Sequence, residues 1–158
     1  MAESRELKCL LLPLGGMTVI LPSSAVAEVI TVDDASSHRL AHGQSPDWLL
    51  GLTRWRGIDV PLVAFDRLCR AREDVPAAAG RFVVLYGVNE NPGFYGLRIE
   101  ALPRNETVDD ATLRPIDGGG PAAEKFVQSR SVIDTRECAI PDFDALESAI
   151  AAHTPISP

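Results

Sequence analysis

The sequence has little positive charge and few aromatic side chains. Its 158 residues include 15 Lys and Arg against 22 Asp and Glu, which gives a formal net charge of -7, and Phe, Trp and Tyr together make up 6%. A protein that binds single-stranded nucleic acid needs a basic groove and aromatic side chains on which bases stack. The composition therefore argues against nucleic acid as a partner.

Long apolar runs and cysteine pairs are also missing. No stretch is long enough to cross a bilayer, and the first apolar run is broken by Pro13 and a Gly-Gly pair, so it lacks the continuous core of a signal peptide. Cys9, Cys69 and Cys138 are odd in number and far apart, which is typical of reduced thiols. We expect a cytoplasmic protein with three free thiols and no direct membrane insertion.

No pattern typical of a catalytic, cofactor or metal site stands out. His38 and His42 have the spacing of zinc ligands on a helix, but their stretch is polar, is predicted to be a loop and offers no further ligands nearby. The Gly-Gly-Gly run at 118–120 lacks the Lys-Ser/Thr that follows a phosphate-binding loop. We therefore expect no metal, no cofactor and no enzyme activity; an enzyme that used Cys69 or the histidines would need them to converge in one pocket.

The sequence does contain a series of short aliphatic or β-branched runs that end in turn residues. Gly-Gly at 15–16 and Asn-Pro-Gly at 91–93 are typical of hairpin turns. The runs predict an all-β protein, with strands over residues 7–14, 17–21, 23–32 after a short helical lead, 48–55, 58–65, 81–88, 94–102, 126–134 and 137–140.

The last segment has a different pattern. "PDFDALESAIAAH", residues 141–153, places Phe143, Leu146 and Ile150 on one helical face, with Asp142 or Asp144 as the N-cap. This predicts an amphipathic C-terminal helix that docks by one stripe.

One stretch, "GLTRWRGIDVPLVAF" at residues 51–65, contains an Arg-Gly step at Arg56-Gly57 between two largely apolar runs. With "AEVITV" at 27–32 and "PDW" at 46–48, it resembles the CheW-like domain of bacterial chemosensory coupling proteins. The family pattern of a Glu in an early strand, a Gly, an Arg-Gly step and a Pro is matched in order by Glu28, Gly51, Arg56, Gly57 and Pro61. "YGLRIEAL" at 95–102 and "LRPID" at 113–117 extend the resemblance over most of the chain.

Several residues depart from the family pattern. Arg54 stands where the family has Asn, Trp55 replaces an aliphatic residue, and Ala64 and Glu100 replace two aspartates, while Pro141 closes the last strand early. These departures place the chain among divergent or accessory members, such as those of pilus-linked chemosensory systems.

The resemblance implies a fold and a function. The fold is a single domain over 1–158 made of two packed five-stranded SH3-like β-barrels with a C-terminal helix, lobe one over about 15–70 and lobe two over about 1–14 plus 81–158. The function is that of a non-catalytic adaptor and scaffold for chemotaxis-type signal transduction. Its partners would be the cytoplasmic tip of a methyl-accepting chemoreceptor and the regulatory domain of a CheA-type histidine kinase, a two-component system.

The candidate partner-binding residues are Glu28, Gly51, Arg54, Trp55, Arg56 and Gly57. Gly57 would permit a sharp turn between strands, and Arg56 would pair with Glu28. Two interpretations stay open: the pair forms part of a binding surface, or it only pins the fold. The alternative function is a small-barrel module that binds single-stranded nucleic acid, with Trp48 and Trp55 as a stacking platform rather than as core or interface residues.

Overall fold

The computed structural model describes residues 6–14, 16–33, 37–38, 46–69, 80–109, 112–115 and 125–154. Within these ranges the chain forms twelve strands, one short and one longer helix, and a 3-10 turn at Ser23–Ala25. The strands are β1 (Leu7–Leu14), β2 (Met17–Pro22), β3 (Val26–Val32), β4 (Ser37–His38), β5 (Leu49–Trp55), β6 (Ile58–Val63), β7 (Gly80–Tyr86), β8 (Phe94–Ile99), β9 (Arg104–Val108), β10 (Leu113–Pro115), β11 (Val127–Ile133) and β12 (Arg136–Pro141). The helices are α1 (Phe65–Leu68) and α2 (Phe143–His153).

The strands form two sheets, which we call the terminal sheet and the central sheet. The terminal sheet has the order β10-β11-β12-β2-β1-β9, and the central sheet has the order β3-β7-β8-β6-β5-β4. Each sheet has five strands of five or more residues and one strand of two or three residues, β10 or β4. The predicted all-β architecture of two subdomains with a C-terminal helix is therefore confirmed.

The sheets divide the chain at other points than the expected lobes. β2, which lies within the expected lobe one, pairs with β1 and β12 in the terminal sheet, and β7 and β8, expected in lobe two, join the central sheet. The reason is that the segment between residues 70 and 81, where the expected lobes were divided, joins α1 to β7 and so connects two elements of one subdomain. The strands near the two ends of the chain therefore pair in the terminal sheet, and the strands from the middle of the chain pair in the central sheet.

The hairpins follow from local turn chemistry. β1 and β2 pair around Leu14 and Met17, and Gly16 between them has a φ of +89°, a conformation that glycine adopts without a steric cost. β7 and β8 pair from Tyr86 to Phe94 across a loop at 87–93, and β11 pairs with β12. Four short elements were not predicted, namely α1, β4, β9 and β10, and β4 lies in the stretch around His38 that was predicted to be a loop.

The main hydrophobic core lies between the two sheets and α2. Along β7 every residue from Phe82 to Leu85 is buried, because this strand is covered on both faces. Val83 and Leu85 join the main core with Leu146 and Ile150 of α2. Two smaller clusters fill the central subdomain, and a third, with Cys9 and Cys138, fills the terminal one.

Helix α2 begins as the sequence predicted. Asp142 is the N-cap, and its carboxylate accepts a hydrogen bond from the Ala145 amide at 3.0 Å, which satisfies one of the free amides of the first turn. Leu146 and Ile150 are fully buried. Glu147, next to Leu146 in sequence, is also fully buried, and no sequence pattern indicated this.

Candidate partner-binding site

The Arg-Gly step forms the tight turn between β5 and β6. Trp55 pairs with Ile58, and the two residues between them, Arg56 and Gly57, have φ angles of +49° and +80°. Positive φ at both central residues is the pattern of a type I′ hairpin, whose twist matches that of the flanking strands. Glycine tolerates this conformation, whereas arginine in it is uncommon and strained.

Glu28 joins this turn to β3. One carboxylate oxygen of Glu28 accepts a hydrogen bond from Nη2 of Arg56 at 2.9 Å, and the other accepts one from Nε1 of Trp55 at 3.1 Å. The Arg56 guanidinium also lies over the Trp55 ring, 4.6 Å from its centroid. The predicted ion pair is thus confirmed, and the three residues form one unit, which we call the Glu28 cluster.

The Glu28 cluster closes the central sheet into a barrel. β3 and β5 are not hydrogen-bonded neighbours, because β7, β8 and β6 lie between them in the sheet. Side chains of Glu28 and Trp55 nevertheless meet, and Ala27 and Ile30 of β3 pack in one cluster with Trp55 and Val60. The sheet must therefore curl until these two strands face each other, as in a small closed barrel.

The cluster is buried at one end and open to solvent at the other. Trp55 is a core residue, whereas the side chains of Arg56 and Glu28 remain 64% and 41% exposed. The hydrogen bond from Trp55, and then that from Arg56, lowers the pKa of Glu28 below its usual value, because both donors stabilise the charged carboxylate. A negative charge held between two donors is therefore presented at the surface with the guanidinium beside it.

Aromatic and aliphatic side chains extend from the cluster along the same end of the barrel. The Trp55 ring contacts Phe94, with centroids 5.0 Å apart, and Phe94 contacts Tyr86 at 5.5 Å. Tyr86 is half exposed, and Ile58 and Val88 are exposed as well. Large apolar groups at the surface beside a charged pair are typical of protein interaction sites.

A groove of about 580 Å³ lies next to the turn. We call it the hairpin groove. One wall is the β5–β6 hairpin with Gly57 and Ile58, the opposite wall is the β7–β8 loop at Glu90–Phe94, and Thr154 after α2 lies at its edge. Arg54 also lines it and forms an exposed ion pair with Asp59 at 3.5 Å. Arg54 precedes the buried Trp55 in β5, so its side chain points to the opposite face of the strand, which is the face that lines the groove.

Gly51 is placed differently from the other candidates. It is buried in β5, at an irregularity of the β5–β6 register, with a φ of +147°. A residue there without a side chain lets the strand bend. Gly51 therefore shapes the barrel wall, and Glu28, Arg56 and Gly57 lie around Trp55, with Arg54 on the opposite face of β5.

Sequence reasoning missed the aromatic and loop residues of this site. The sequence patterns place Tyr86 and Phe94 only in strands, and they indicate only a turn at Asn-Pro-Gly, residues 91–93. One available signal was the run of large apolar residues on both sides of this polar turn, since a strand end that carries exposed aromatics is a frequent feature of interaction sites.

The other candidate sites gain no structural support. In the ranges that the structure describes, no group of three or more His, Cys, Asp and Glu side chains is arranged to hold a metal. His42 and the glycines at 118–120 lie outside these ranges, as does the side chain of His38. All three cysteines are free thiols, and burial raises the pKa of Cys9 and Cys138.

Trp48 and Trp55 are both buried in core clusters, as expected for core residues, and neither forms an open platform on which a base can stack. Among the described helices none combines the length and the apolar character that crossing a membrane requires.

Comparison with known proteins agrees with this geometry. The sequence matches the CheW-like domain family over residues 8–150, whereas a search of curated proteins gave no significant match. Among solved structures, the crystal structure of the scaffolding protein TtCheW from Thermoanaerobacter tengcongensis aligns with a TM-score of 0.67 at 17% sequence identity, and covers 87% of this chain and 90% of that chain. At this identity the likeness shows a shared fold, and the family match covers most of the sequence. The chain therefore belongs to the CheW-like family.

Proposed function

We propose that the protein is a non-catalytic adaptor of bacterial chemosensory signal transduction, which couples chemoreceptors to a CheA-type histidine kinase in the cytoplasm. Its membership in a family of chemosensory adaptors supports this proposal. The observation that carries it furthest is the exposed Arg56–Glu28 pair on the strained turn, beside exposed apolar side chains. The proposed partners are the receptor's cytoplasmic tip and the kinase's regulatory domain.

The residue at the first turn position argues for a role in binding. A type I′ turn alone is served better by Asn or Gly, and an exposed ion pair adds little to stability. Arg56 therefore has little reason to be there for stability alone, because its backbone is strained and its ion pair with Glu28 is exposed to water. A guanidinium kept there has donors left for a carboxylate of a partner, which suits its bidentate geometry.

The apolar neighbours supply the second element of a binding surface. Ile58, Tyr86 and Val88 are large and exposed, and removing such groups from water drives protein association. A charged residue beside them adds specificity and orientation. The proposed surface therefore consists of Glu28, Arg54, Arg56 and Gly57 together with these three residues, and it requires neither a cofactor nor a metal.

Two substitutions of Arg56 test the proposal. Arg56→Glu places a second carboxylate beside Glu28, and Arg56→Asn removes the cation while suiting the left-handed conformation. We expect both to weaken binding of the receptor tip or of the kinase regulatory domain by about tenfold or more. The melting temperature should change by no more than about 2 °C for the Asn variant, as for ordinary surface substitutions.

A matched control exists on the terminal sheet. Arg130 of β11 pairs with Glu137 of β12 at 3.3 Å, with a side chain that is 28% exposed against 64% for Arg56. Arg130→Glu therefore reverses a paired but less exposed charge elsewhere and should leave binding intact. If Arg56→Glu melts several degrees lower and loses both partners together, the pair only pins the barrel. Unchanged binding by both Arg56 variants would remove Arg56 from the site. Single-stranded DNA as a third bait in the same assay tests the alternative function. If the protein bound this DNA and neither the receptor tip nor the kinase regulatory domain, the adaptor role would be refuted.

A further inference from the structure

Glu147 of α2 is a buried acid on an otherwise apolar helix face. Its side chain is fully buried, and both carboxylate oxygens are used. Oε2 accepts hydrogen bonds from the Val88 amide at 2.9 Å and the Tyr95 hydroxyl at 3.0 Å. Oε1 accepts from the amide and the side chain of Asn89 at 2.8 and 3.1 Å. Three of the four donors belong to two successive residues of the β7–β8 loop.

This arrangement is specific to an acid at position 147. Burying a carboxyl group is costly unless its hydrogen bonds are made, and an apolar residue would pack between α2 and the central sheet at lower cost. An apolar residue would, however, leave the amides of Val88 and Asn89 without their acceptor. Burial and the nearby carboxylate of Glu147 also raise the pKa of Tyr95, so the phenol stays a donor to this carboxylate.

The loop that Glu147 holds is a wall of the hairpin groove. The Gly87 amide donates to the Gly93 carbonyl at 2.7 Å, which closes the neck of the loop. Within the neck, Val88 and Asn89 face Glu147, while the following residues, from Glu90 onward, line the groove opposite Gly57 and Ile58. The β7–β8 loop therefore contacts Glu147 of α2 at one end and lines the hairpin groove at the other.

We propose that Glu147 is a positioning residue for the partner-binding site. By holding the amides of Val88 and Asn89 it fixes the loop wall, and thereby the width of the hairpin groove beside Arg56. This role rests on the proposed adaptor function, and it links partner binding to the docking of α2, whose C-cap residue Thr154 lines the same groove.

The test uses Glu147→Gln in the full chain. The amide cannot accept on both sides, so at least one backbone N–H of the loop loses its acceptor. We expect hydrogen exchange at Val88 or Asn89 to speed up by about tenfold, the effect of one lost hydrogen bond. The amide NMR signals of Gly57 and Ile58, across the groove, should shift, and binding of the partner that Arg56 contacts should weaken by about tenfold.

Two further variants separate positioning from general stability. Tyr95→Phe removes one donor from the same carboxylate but leaves the loop bonds in place, so the signals of Gly57 and Ile58 and the binding should stay unchanged. Gly87→Ala leaves Glu147 intact, but its Cβ would overlap the carbonyl oxygen of Pro92, so it should disturb the loop and reproduce both the shifts and the loss of binding.

The outcomes are distinct. Faster exchange in Glu147→Gln with unmoved Gly57 and Ile58 signals and normal binding would overturn the proposal, and so would equal effects from Tyr95→Phe. If Glu147→Gln does not fold, Gly87→Ala decides: normal binding with unmoved signals overturns the proposal, and their joint change supports the control of the groove by the loop that Glu147 holds. If the wild type binds neither protein bait, the adaptor function fails, and the signals of Gly57 and Ile58 alone then support or overturn the control of the groove by Glu147.

Discussion

Gly57→Ala isolates the backbone requirement of the β5–β6 turn. Gly57 has a φ of +80°, and a Cβ built on it would meet no atom within 4 Å. The substitution therefore creates no clash with neighbours, and its whole cost is the left-handed backbone, roughly 1–2 kcal/mol for an L-residue. In a domain of this size 1 kcal/mol corresponds to about 2–4 °C, so the melting temperature should fall by about 2–8 °C.

Two other glycines provide the comparison. Gly16 has a φ of +89° and equally open surroundings, so Gly16→Ala should cost about the same. Gly93 is not among the glycines with positive φ, and its Cβ would meet only the Glu90 carbonyl oxygen at 4.0 Å. Gly93→Ala should therefore leave the melting temperature unchanged or raise it slightly, because alanine reduces the freedom of the unfolded chain.

Thermal unfolding followed by circular dichroism or calorimetry measures all three variants under one set of conditions. If Gly57→Ala has the same melting temperature as the wild type, the turn does not have the type I′ conformation in solution. The placement of Arg56 toward Glu28 would then lose its basis, because the direction of the Arg56 side chain depends on this backbone. If the melting temperature of Gly93→Ala fell as far as that of Gly57→Ala, the reasoning would also be contradicted. The cost of the substitution would then not depend on a positive φ.

Two predictions concern titratable groups. Hydrogen bonds, first from Trp55 and then from the Arg56 guanidinium, lower the pKa of Glu28 in the folded protein. The ionised carboxylate therefore stabilises the folded state fully at a pH above the ordinary glutamate pKa of about 4.3. This contribution to the free energy of unfolding is lost as the pH falls through the lower pKa of the folded state. An NMR titration should show this, with the midpoint moving up in Trp55→Phe; a wild-type midpoint above the ordinary value contradicts it. Burial raises the pKa of Cys9 and Cys138, so a thiol reagent at neutral pH should label the less buried Cys69 first, and equal labelling of all three before unfolding would be inconsistent.

The hairpins were predictable because their information is local. In the β1–β2 and β7–β8 hairpins, Gly16 and the segment at 91–93 lie in the turns, and the apolar runs on either side form the strands. The N-cap at Asp142 is equally local, since a side-chain acceptor three residues before a free amide is visible in the sequence. Such features depend on a few adjacent residues, and tertiary contacts did not override them.

The division into subdomains was not predictable from local pattern. Which sheet a strand joins depends on long-range pairing, such as the parallel contact of Ala139 in β12 with Val19 in β2. The polar strand β9, "RNETV", was missed for a related reason. Among the described strands it pairs only with β1, at the edge of the terminal sheet, and edge strands need polar residues more than they need an apolar alternation.

The site was predictable in part. Glu28 and Arg56 are 28 residues apart, and only the family resemblance joined them, because no spacing rule connects two strands at a closed barrel seam. Trp55 was expected as a departure from the family pattern, as a core or interface residue and as a candidate partner-binding residue. Its indole N–H also donates to Glu28, and that second role depends on the curl of the sheet, which the sequence does not display.

If the proposed function is correct, the shared acceptor would let one cluster both hold the barrel and bind a partner. Glu28 uses one oxygen for the buried Trp55 and the other for the exposed Arg56. If a partner carboxylate takes the guanidinium, the bond between Glu28 and Trp55 still connects β3 to β5, and Ala27 and Ile30 still pack against Trp55. The seam therefore does not depend on the ion pair alone, and Arg56 is the member of the cluster that can change partners while the barrel stays closed.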